Sequence, residues 1–279
     1  MDEQFYLMKK FRITKCSHCG LMSLNPQPTT EELAKIYNEN YFLHTGEEKE
    51  IFSYLKSCTA RDYLFLLEQY VPSGKLNGSL LEIGCGYGDF LAEAMTYGLD
   101  VTGVEYSPHA ASIAHKKIAP KGKVFPGEIS QLNNKKKFNY IVLADVLEHV
   151  RDPQLFLKTI HNLLEKDGII FVAVPSLDSF SAKLMKNKWM EFKTEHLWYF
   201  SKKTLNQLLT SENFSQIKTT SAKKTLNLDY IIQHFEHYPV APFTQAAKLI
   251  KKIIPKVLKK QPFRIVASGI VSMATKLEN

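Results

Sequence analysis

The sequence predicts an α/β protein whose core is a doubly wound sheet of seven strands. From Gly78 onward, short apolar runs alternate with amphipathic segments, which is the pattern of βαβ units in a parallel sheet. The first of these runs leads into a glycine-rich turn, residues 84–88, that opens a helix. The acidic residues Glu105 and Asp145 follow two of the runs, at the sheet edge where ligands of such folds bind. With 279 residues, 44% of them hydrophobic, the chain is long enough to bury such a core.

Residues 1–76 precede this pattern and predict an N-terminal Cys-containing helical cap. The segment carries the C-x-x-C pair Cys16 and Cys19. A short helix is expected at about residues 30–37, because two glutamates supply an acidic first turn. A longer helix is expected over residues 48–70, where apolar residues recur at helical spacing.

The core is predicted over residues 77–222, and its elements follow one another in βαβ order. Strands are predicted at 79–83, 100–105, 123–126, 138–143 and 168–174. Helices are predicted at 89–97, 108–117, 153–164 and 202–211. Two late strands, at 214–220 and 263–274, bring the sheet to seven. The last section, residues 223–279, is predicted to be a basic amphipathic helical insertion, at about 225–262, and the final strand.

Composition argues against several classes of protein. No run reaches the roughly 18 apolar residues that a membrane span needs. The first ten residues carry Asp2 and Glu3 and lack an apolar core, so we expect no secretory signal peptide. Four cysteines are too few and too unevenly placed for a disulfide-stapled secreted domain of this size. A cytoplasmic location with reduced thiols is therefore expected.

The glycine-rich turn, Gly84-Cys85-Gly86-Tyr87-Gly88, lets the backbone approach a ligand closely and points N–H groups at it. A dinucleotide fingerprint requires glycine at position 89, where this chain has aspartate. Glu82, two residues before the turn, would also repel a pyrophosphate, so a ligand with a cationic part suits the site better. Glu105, 17 residues after the turn, can accept both hydroxyls of a ribose, and Asp145 adds a further acceptor. Together these features predict a nucleoside that carries an amino group and a sulfonium, namely S-adenosylmethionine.

Four ordered motifs resemble those of the class I S-adenosylmethionine-dependent methyltransferases, which have a Rossmann-like fold. The run 81–88 matches their E/D-x-G-x-G-x-G motif, and Val104-Glu105-Tyr106-Ser107 is similar to their second-strand motif. Residues 138–150 resemble the fourth-strand motif of the subgroup that includes the ubiquinone-type O-methyltransferases and some sugar and natural-product methyltransferases. Residues 164–168 resemble the turn before the fifth strand of that subgroup. The resemblance covers residues 77–222.

The resemblance also implies which residues bind the cofactor. The glycines would pass under its methionine part, and Glu82 would lie near its ammonium group. Glu105 would hold the ribose, with Tyr106 beside the adenine and Glu128 accepting from the adenine amino group. The implied cofactor-binding residues are Glu82, Gly84, Gly86, Gly88, Glu105, Tyr106, Glu128 and Asp145.

Two histidines are candidate catalytic bases for methyl transfer. His149 lies four residues after Asp145 and could face the methyl group, or it could only stabilise the start of a helix. His196 lies in a Glu-His-aromatic stretch that, in the resembling subgroup, closes over the acceptor site. A neutral imidazole there suits deprotonation of a hydroxyl, although a packing role is an equal alternative. Aromatic candidates for lining the acceptor pocket, or alternatively for the core, are Trp189, Trp198 and Tyr199.

The N-terminal cysteines resemble half of a zinc-binding segment found ahead of some sugar and natural-product methyltransferases. A closed structural zinc site needs four ligands, and no Cys or His precedes Cys16 in this sequence. Cys16 and Cys19 therefore predict no bound zinc, and no other metal ligands are predicted. If the segment covers the acceptor pocket, Tyr37 and Tyr41 could reach the substrate.

The formal net charge of +8 comes from the C-terminal third, since residues 181–279 carry 17 Lys and Arg against 6 Asp and Glu. Within residues 244–260, basic and apolar residues alternate at nearly helical spacing, interrupted by Pro255. Such a helix can lie on an anionic membrane surface, and the alternative is a lysine-faced helix packed on its own domain. Nucleic acid is a poorer explanation, and no DNA partner is expected.

These observations predict a methyltransferase, a transferase that uses S-adenosylmethionine on a small molecule or glycan, with O-methylation favoured over C- or N-methylation. The predicted location is cytoplasmic, with peripheral contact to the inner membrane surface as a further possibility. Two alternatives stay open. One is a non-catalytic binding protein that keeps the fold, and the other is an RNA-directed methyltransferase, suggested by the basic C-terminal third.

Overall fold

The computed structural model describes residues 11–36, 47–132, 136–237 and 239–278. Three strands belong to a small sheet near the N-terminus: β1 (Arg12–Lys15), β2 (Met22–Asn25) and β8 (Trp198–Tyr199). The other strands form the main sheet: β3 (Ser79–Ile83), β4 (Asp100–Glu105), β5 (Lys123–Pro126), β6 (Phe138–Ala144), β7 (Leu164–Pro175), β9 (Phe214–Leu226) and β10 (Phe263–Lys276).

Helices cover both faces of the main sheet and extend beyond it. They are α1 (Thr30–Ile36), α2 (Glu47–Tyr70), α3 (Asp89–Thr96), α4 (Pro108–Ile118), α5 (Pro153–Leu163), α6 (Phe180–Met185), α7 (Lys202–Ser211), α8 (Leu228–His237), α9 (Phe243–Ile253) and α10 (Lys256–Lys259). A 3-10 turn, Leu147–His149, follows β6. No helix of the described residues is long and apolar enough to cross a membrane.

The main sheet has seven strands in the order β5-β4-β3-β6-β7-β10-β9. Strands β5, β4, β3, β6 and β7 are parallel, whereas β10 runs antiparallel to both β7 and β9. Central strands are buried on both faces, so their sequences are continuous apolar runs such as Tyr140 to Leu143. The predicted doubly wound α/β sheet is confirmed, and the carboxyl ends of β3, β4 and β6 meet at one edge.

The Cys-containing segment forms a β-hairpin, which the sequence analysis did not predict, and the two helices expected after it are present as α1 and α2. Strands β1 and β2 pair antiparallel, with Ile13 opposite Leu24, and β8 adds a third strand. Ile13 and Leu24 are buried in a cluster with Trp189 and Tyr199. Four-residue strands are too short to show the alternation that identifies a strand, which is why the sequence did not reveal them.

The last two strands, β9 and β10, are longer than predicted, and this changes the organisation of residues 223–279. Strand β9 runs to Leu226, so the expected boundary between residues 222 and 223 falls inside a strand. Strand β10 pairs with β7 on one side and β9 on the other, so it lies inside the main sheet. Helices α8, α9 and α10 form the predicted insertion between β9 and β10.

Candidate functional site

The glycine-rich turn connects β3 to α3 at the carboxyl edge of the sheet. Gly84, Gly86 and Gly88 all have positive φ, at 71°, 52° and 75°. A Cβ atom added to Gly84 would lie 2.6 Å from Val146 Cγ2, whereas one added to Gly86 would meet open space. Gly84 is therefore required by packing. Gly86 borders a space that a ligand could fill, because among the described residues nothing contacts a Cβ there and its left-handed backbone is the remaining constraint.

Glu82 lies on β3, two residues before this turn, and its side chain is buried. The residue is 4% exposed, and its Oε2 atom has no hydrogen-bond partner within the described part of the chain. Burial, with the carboxylates of Asp89 and Glu105 adding to it, raises the pKa of Glu82 well above its ordinary value. A buried carboxyl without a partner is costly, so the site favours a ligand that brings a positive group or a donor to Glu82.

Glu105 is held at the end of β4 by backbone groups on both carboxylate oxygens. Gly86 N donates to Oε2 at 2.8 Å, and Ser107 N donates to Oε1 at 2.9 Å. Burial raises the pKa of Glu105, and these backbone hydrogen bonds oppose the shift. The carboxylate is thus oriented in advance beside the glycine turn, and each oxygen keeps a second acceptor site for a ligand hydroxyl.

Two of the other residues predicted to bind the cofactor are exposed at this edge. Tyr106, next to Glu105, is 64% exposed, and Glu128 is exposed at the start of a short 3-10 turn. The structure therefore leaves both side chains accessible to a ligand that extends along the carboxyl ends of β4 and β5.

Asp145 makes an ion pair that the sequence did not predict. It follows β6 with φ at 56°, and Lys224 Nζ on β9 lies 2.9 Å from its Oδ2 atom and 3.2 Å from Oδ1. Burial alone would raise the pKa of Asp145, but Lys224 and Lys56 reverse this and lower it. Asp145 is therefore ionised and already has a partner, which differs from its predicted role as an acceptor for the cofactor.

Lys56 on α2 extends over the same edge of the sheet. The side chain of Lys56 is exposed, and the charges of Asp145, Asp89 and Glu82 act on its ammonium group. Its ammonium group also lies 5.3 Å from the centre of the Phe52 ring. The helix α2 thus places the ammonium group of Lys56 near Asp145 and near the pair Glu82 and Asp89.

The two predicted histidines meet, although they are 47 positions apart in the chain. Their rings pack edge to face with centres 4.7 Å apart. Burial lowers the pKa of His149 to about 4, and burial together with His149 lowers the pKa of His196 well below its ordinary value. Both imidazoles are therefore neutral near pH 7. The sequence thus identified two residues that belong to one cluster.

The small N-terminal sheet positions the loop that carries His196. Strand β2 pairs with β8, which follows this loop directly, and Leu24 N donates to Leu197 O at 3.0 Å. From the other side, Leu197 N donates to Glu148 O at 2.8 Å, and Trp198 Nε1 donates to Val150 O at 2.8 Å. The loop is thereby fixed against the turn after β6.

The aromatic residues and the cysteines divide between core and surface. Trp189 and Tyr199 are 1% and 2% exposed and belong to the hydrophobic cluster of the N-terminal sheet, so the structure places them in the core. Trp198 is partly buried against the turn after β6. Cys16 is exposed and Cys19 half-buried, and neither is in a disulfide. Tyr37 and Tyr41 lie outside the described residues.

Sequence reasoning missed three residues of this site: Lys56, Lys224 and Glu148. Both lysines come from elements that flank the core, and no local pattern shows that they reach its edge. Glu148 stands inside a motif that the sequence analysis quoted, and its place directly before His149 was the available signal.

A family model described as a methyltransferase domain matches residues 54–219. This range includes the glycine turn, Glu105 and the paired histidines. The resemblance stated from the motifs is thereby confirmed.

Similar proteins were found across bacteria and archaea. The chain is 38% identical over 103 residues to a ubiquinone biosynthesis O-methyltransferase of Pelagibacter ubique, over 35% of this chain and 42% of that protein. It is 25% identical over 195 residues to an uncharacterised protein of Methanocaldococcus jannaschii, over 68% of this chain and 80% of that protein. The match thus spans less than half the length of the Pelagibacter protein.

A solved structure is similar over nearly the whole chain. It is the 1,6-didemethyltoxoflavin-N1-methyltransferase of Burkholderia thailandensis, with bound 1,6-didemethyltoxoflavin and S-adenosylhomocysteine. The TM-score is 0.59 at 15% identity, over 99% of this chain and 100% of that one. At this identity the similarity establishes the fold alone.

Proposed function

The chain belongs to the class I S-adenosylmethionine-dependent methyltransferases, and from this membership we propose that it transfers a methyl group from S-adenosylmethionine to a hydroxyl of a small molecule or glycan. The observation that carries the proposal is the open space at Gly86, bordered by the buried carboxyl groups of Glu82 and Glu105. The name of the Pelagibacter relative supports O-methylation.

The residues at the turn fit the cofactor. Glu82 has a buried carboxylate oxygen that has no hydrogen-bond partner in the described ranges of the chain, which suits the ammonium group of the methionine part. Glu105 is preoriented to accept the ribose hydroxyls, and Gly86 leaves room for the ligand to approach the backbone. The exposed ring of Tyr106 and the exposed carboxylate of Glu128 are the proposed contacts of the adenine.

The methyl group of S-adenosylmethionine is activated by its sulfonium, so the protein has mainly to align the acceptor and exclude water. His196 and His149 are the candidate bases, because a neutral imidazole can accept the proton of an acceptor hydroxyl. The loop containing His196 is held by β2 and by Glu148, so the ring does not have to be positioned again when substrate binds.

Isothermal titration with S-adenosylmethionine and S-adenosylhomocysteine tests cofactor binding. Micromolar binding of both is expected. Glu105→Gln should weaken both, because the amide nitrogen would face a backbone N–H donor in place of an acceptor oxygen. Glu212→Gln is the matched control, since Glu212 is also buried but accepts from Gln154 and Ser211. If neither ligand binds, the chain has the methyltransferase fold but does not bind the cofactor, and the alternative of a non-catalytic binding protein is favoured.

Transfer of a labelled methyl group tests the reaction and the acceptor class. We would screen phenols, nucleotide-linked sugars, lipid-linked sugars and structured RNA with the same labelled cofactor. Label in a phenol or sugar, released by chemistry that cleaves methyl ethers, supports O-methylation. Label found only in RNA would replace the small-molecule proposal with the alternative that the basic C-terminal third suggested.

We also propose that the helical insertion contacts an anionic membrane surface. Leu249, Ile253 and Val257 are spaced four residues apart and are 58%, 69% and 71% exposed. Leu249 and Ile253 lie one turn apart on α9, Val257 lies on α10 after Pro255, and exposed lysines flank all three. Each apolar side chain contributes about 1.5–3 kcal/mol when fully buried, and each lysine near an anionic surface about 1 kcal/mol. A lipid-linked or quinone-like acceptor would reach the enzyme from this surface.

Vesicle sedimentation tests the contact. Vesicles containing phosphatidylglycerol should retain the protein, and neutral phosphatidylcholine vesicles should retain less of it. Leu249→Asp with Ile253→Asp should abolish retention. Leu155→Asp is the control, since Leu155 is 62% exposed on α5, which lies outside the insertion. Equal retention of the double variant and the unmodified protein would exclude this surface.

A further inference from the structure

The ion pair between Asp145 and Lys224 lies close to the groups that the proposed methyl transfer would use. Asp145 directly precedes Val146, whose side chain lies against Gly84 of the glycine turn. The charge of Asp145 also acts on the imidazoles of both candidate bases. The ion pair is therefore near the proposed cofactor site and near the bases, which is where an acceptor has to bind.

Stability alone gives little reason for this ion pair. Lys224 belongs to β9, and its side chain reaches Asp145 after β6, although β7 and β10 separate these two strands in the sheet. The side chains of Lys224 and Asp145 are 28% and 36% exposed. An ion pair that is exposed to this degree contributes little to folding. The same exposure makes both side chains accessible to a ligand.

The ion pair keeps hydrogen-bonding capacity for such a ligand. Lys224 Nζ lies 2.9 Å and 3.2 Å from the two carboxylate oxygens of Asp145. In the described ranges of the chain, neither side chain has another hydrogen-bond partner. An ammonium group has three donors, and a carboxylate has about four acceptor positions. At least one donor and about two acceptor positions therefore remain side by side.

A second ion pair adds to this polar surface. Lys193 Nζ lies 3.4 Å from Glu191 Oε2, and Ser268 Oγ donates to Glu191 Oε1 at 2.8 Å. Both side chains of this pair are partly exposed. Lys224 and Glu191 act on each other electrostatically, so the two ion pairs are neighbours. Two positive and two negative groups thus border the acceptor end of the site, and their charges cancel.

This arrangement of charges discriminates between classes of acceptor. An anionic group would be repelled by Asp145, and a cationic group would be repelled by Lys224. A ring with few polar groups would remove water from both ion pairs and replace none of the lost hydrogen bonds. A neutral ring with several hydroxyls avoids both penalties, because each hydroxyl can donate to a carboxylate and accept from an ammonium group. Sugars are rings of this kind.

Tyr230 on α8 provides an aromatic ring near the two ion pairs. The charges of both pairs act on its hydroxyl. Its ring is half-buried and stacks with Phe52 of α2, with ring centres 6.1 Å apart. A tyrosine has an apolar face and a polar end, which suits contact with the C–H face and a hydroxyl of one sugar ring. The helical insertion would then contribute to acceptor binding through α8.

We propose that the acceptor is a neutral sugar and that the Asp145–Lys224 pair selects it through the hydroxyl next to the one that is methylated. This neighbouring hydroxyl donates to Asp145 and accepts from Lys224. Selection of this kind rests on the proposed function, because it acts on the acceptor of that same site. The methylated oxygen bonds to the methyl carbon as the carbon–sulfur bond breaks. The electron pair of that bond stays on sulfur, and the hydroxyl proton passes to His196 or His149.

Transfer of a labelled methyl group to simple glycosides tests the acceptor class. The neutral compounds are the methyl glycosides of glucose, galactose, mannose and rhamnose. Methyl glucuronide is the anionic analogue, methyl glucosaminide is the cationic analogue, and catechol is the aromatic competitor. At least one neutral glycoside should be labelled, and the two charged analogues and catechol should react more slowly.

The neighbouring hydroxyl is tested after the methylated position of that glycoside has been located. The deoxy analogue that lacks the adjacent hydroxyl should react with kcat/KM lowered about 10- to 150-fold, because it loses hydrogen bonds to charged groups. Lys224→Met should react equally with the glycoside and its deoxy analogue. Its unchanged affinity for S-adenosylhomocysteine would show that the variant is folded.

Lys223→Met is the matched control, since Lys223 is the exposed neighbour of Lys224 on β9. It should keep the full preference for the glycoside over the deoxy analogue. If Lys224→Met does not fold, Asp145→Asn replaces it, because it removes the charge of the other member of the pair and nearly keeps its volume.

Three results would overturn the sugar assignment: no label in any neutral glycoside, faster reaction of a charged analogue or of catechol, or an undiminished preference in both ion-pair variants. Titration with S-adenosylhomocysteine separates this outcome from failure of the proposed function. Binding of the nucleoside without a labelled glycoside would reject only the sugar acceptor. Absence of nucleoside binding would reject the proposed function itself.

Discussion

Replacing Gly86 by alanine separates ligand binding from folding at the glycine turn. Gly86 has φ at 52°, and an added Cβ would have no atom of the described residues within 4 Å. The cost to the folded protein is therefore the left-handed backbone alone, about 1–2 kcal/mol. For a chain of this size, that cost corresponds to a fall in melting temperature of about 2–8 °C.

Gly86→Ala should also weaken cofactor binding, which backbone strain by itself would not do. The new methyl group would occupy the space next to the backbone that the cofactor is proposed to fill. Inserting a methyl group into a well-packed contact costs about 1–3 kcal/mol, which corresponds to roughly 5- to 150-fold weaker binding. Gly98 provides a matched control, because it has φ at 80°, also has open space at Cβ and lies in the turn before β4.

The assay combines differential scanning fluorimetry with isothermal titration of S-adenosylhomocysteine. Gly86→Ala and Gly98→Ala should lose similar thermal stability, and only Gly86→Ala should lose affinity. If both variants bind the nucleoside as tightly as the unmodified protein, the cofactor does not pass over Gly86. If both lose affinity equally, general destabilisation accounts for the loss.

Three further predictions concern charged or titratable residues. Glu82→Gln should stabilise the cofactor-free protein by roughly 1 kcal/mol at pH 8, because it removes a buried charge. The pKa of Glu82 is raised in the folded state, so the stability difference between variant and parent should disappear as the pH falls through that pKa. Thermal melts over a range of pH measure this difference. Lys224→Met should lower the free energy of unfolding by about 1 kcal/mol, and with it the melting temperature, because Asp145 loses its partner. An unchanged melting temperature would show that the ion pair does not contribute to stability. His196→Ala should lower turnover at least tenfold while titration shows unchanged cofactor affinity, whereas full activity would leave His196 a packing role.

The sequence alone determined the main sheet and identified the residues of the proposed cofactor site. Strands buried on both faces appear as continuous apolar runs, and the run before Gly84 predicts both β3 and the turn after it. Since the carboxyl ends of parallel strands share one edge, Glu82 and Glu105 could be placed near each other without a structure. Their positions in the sequence were sufficient for this prediction, because both glutamates lie at the carboxyl ends of neighbouring parallel strands, close to the glycine turn.

Only the tertiary structure brought together the residues of the proposed acceptor end of the site. Asp145 meets Lys224 across a sheet in which β7 and β10 separate their strands, and His149 meets His196 only because β2 and β8 hold the intervening loop. Short strands such as β1 and β2 carry too few residues to show a period. Contacts between segments far apart in the chain depend on which surfaces are buried together. Local spacing does not encode that choice, so only the fold shows that Glu148 lies beside both imidazoles.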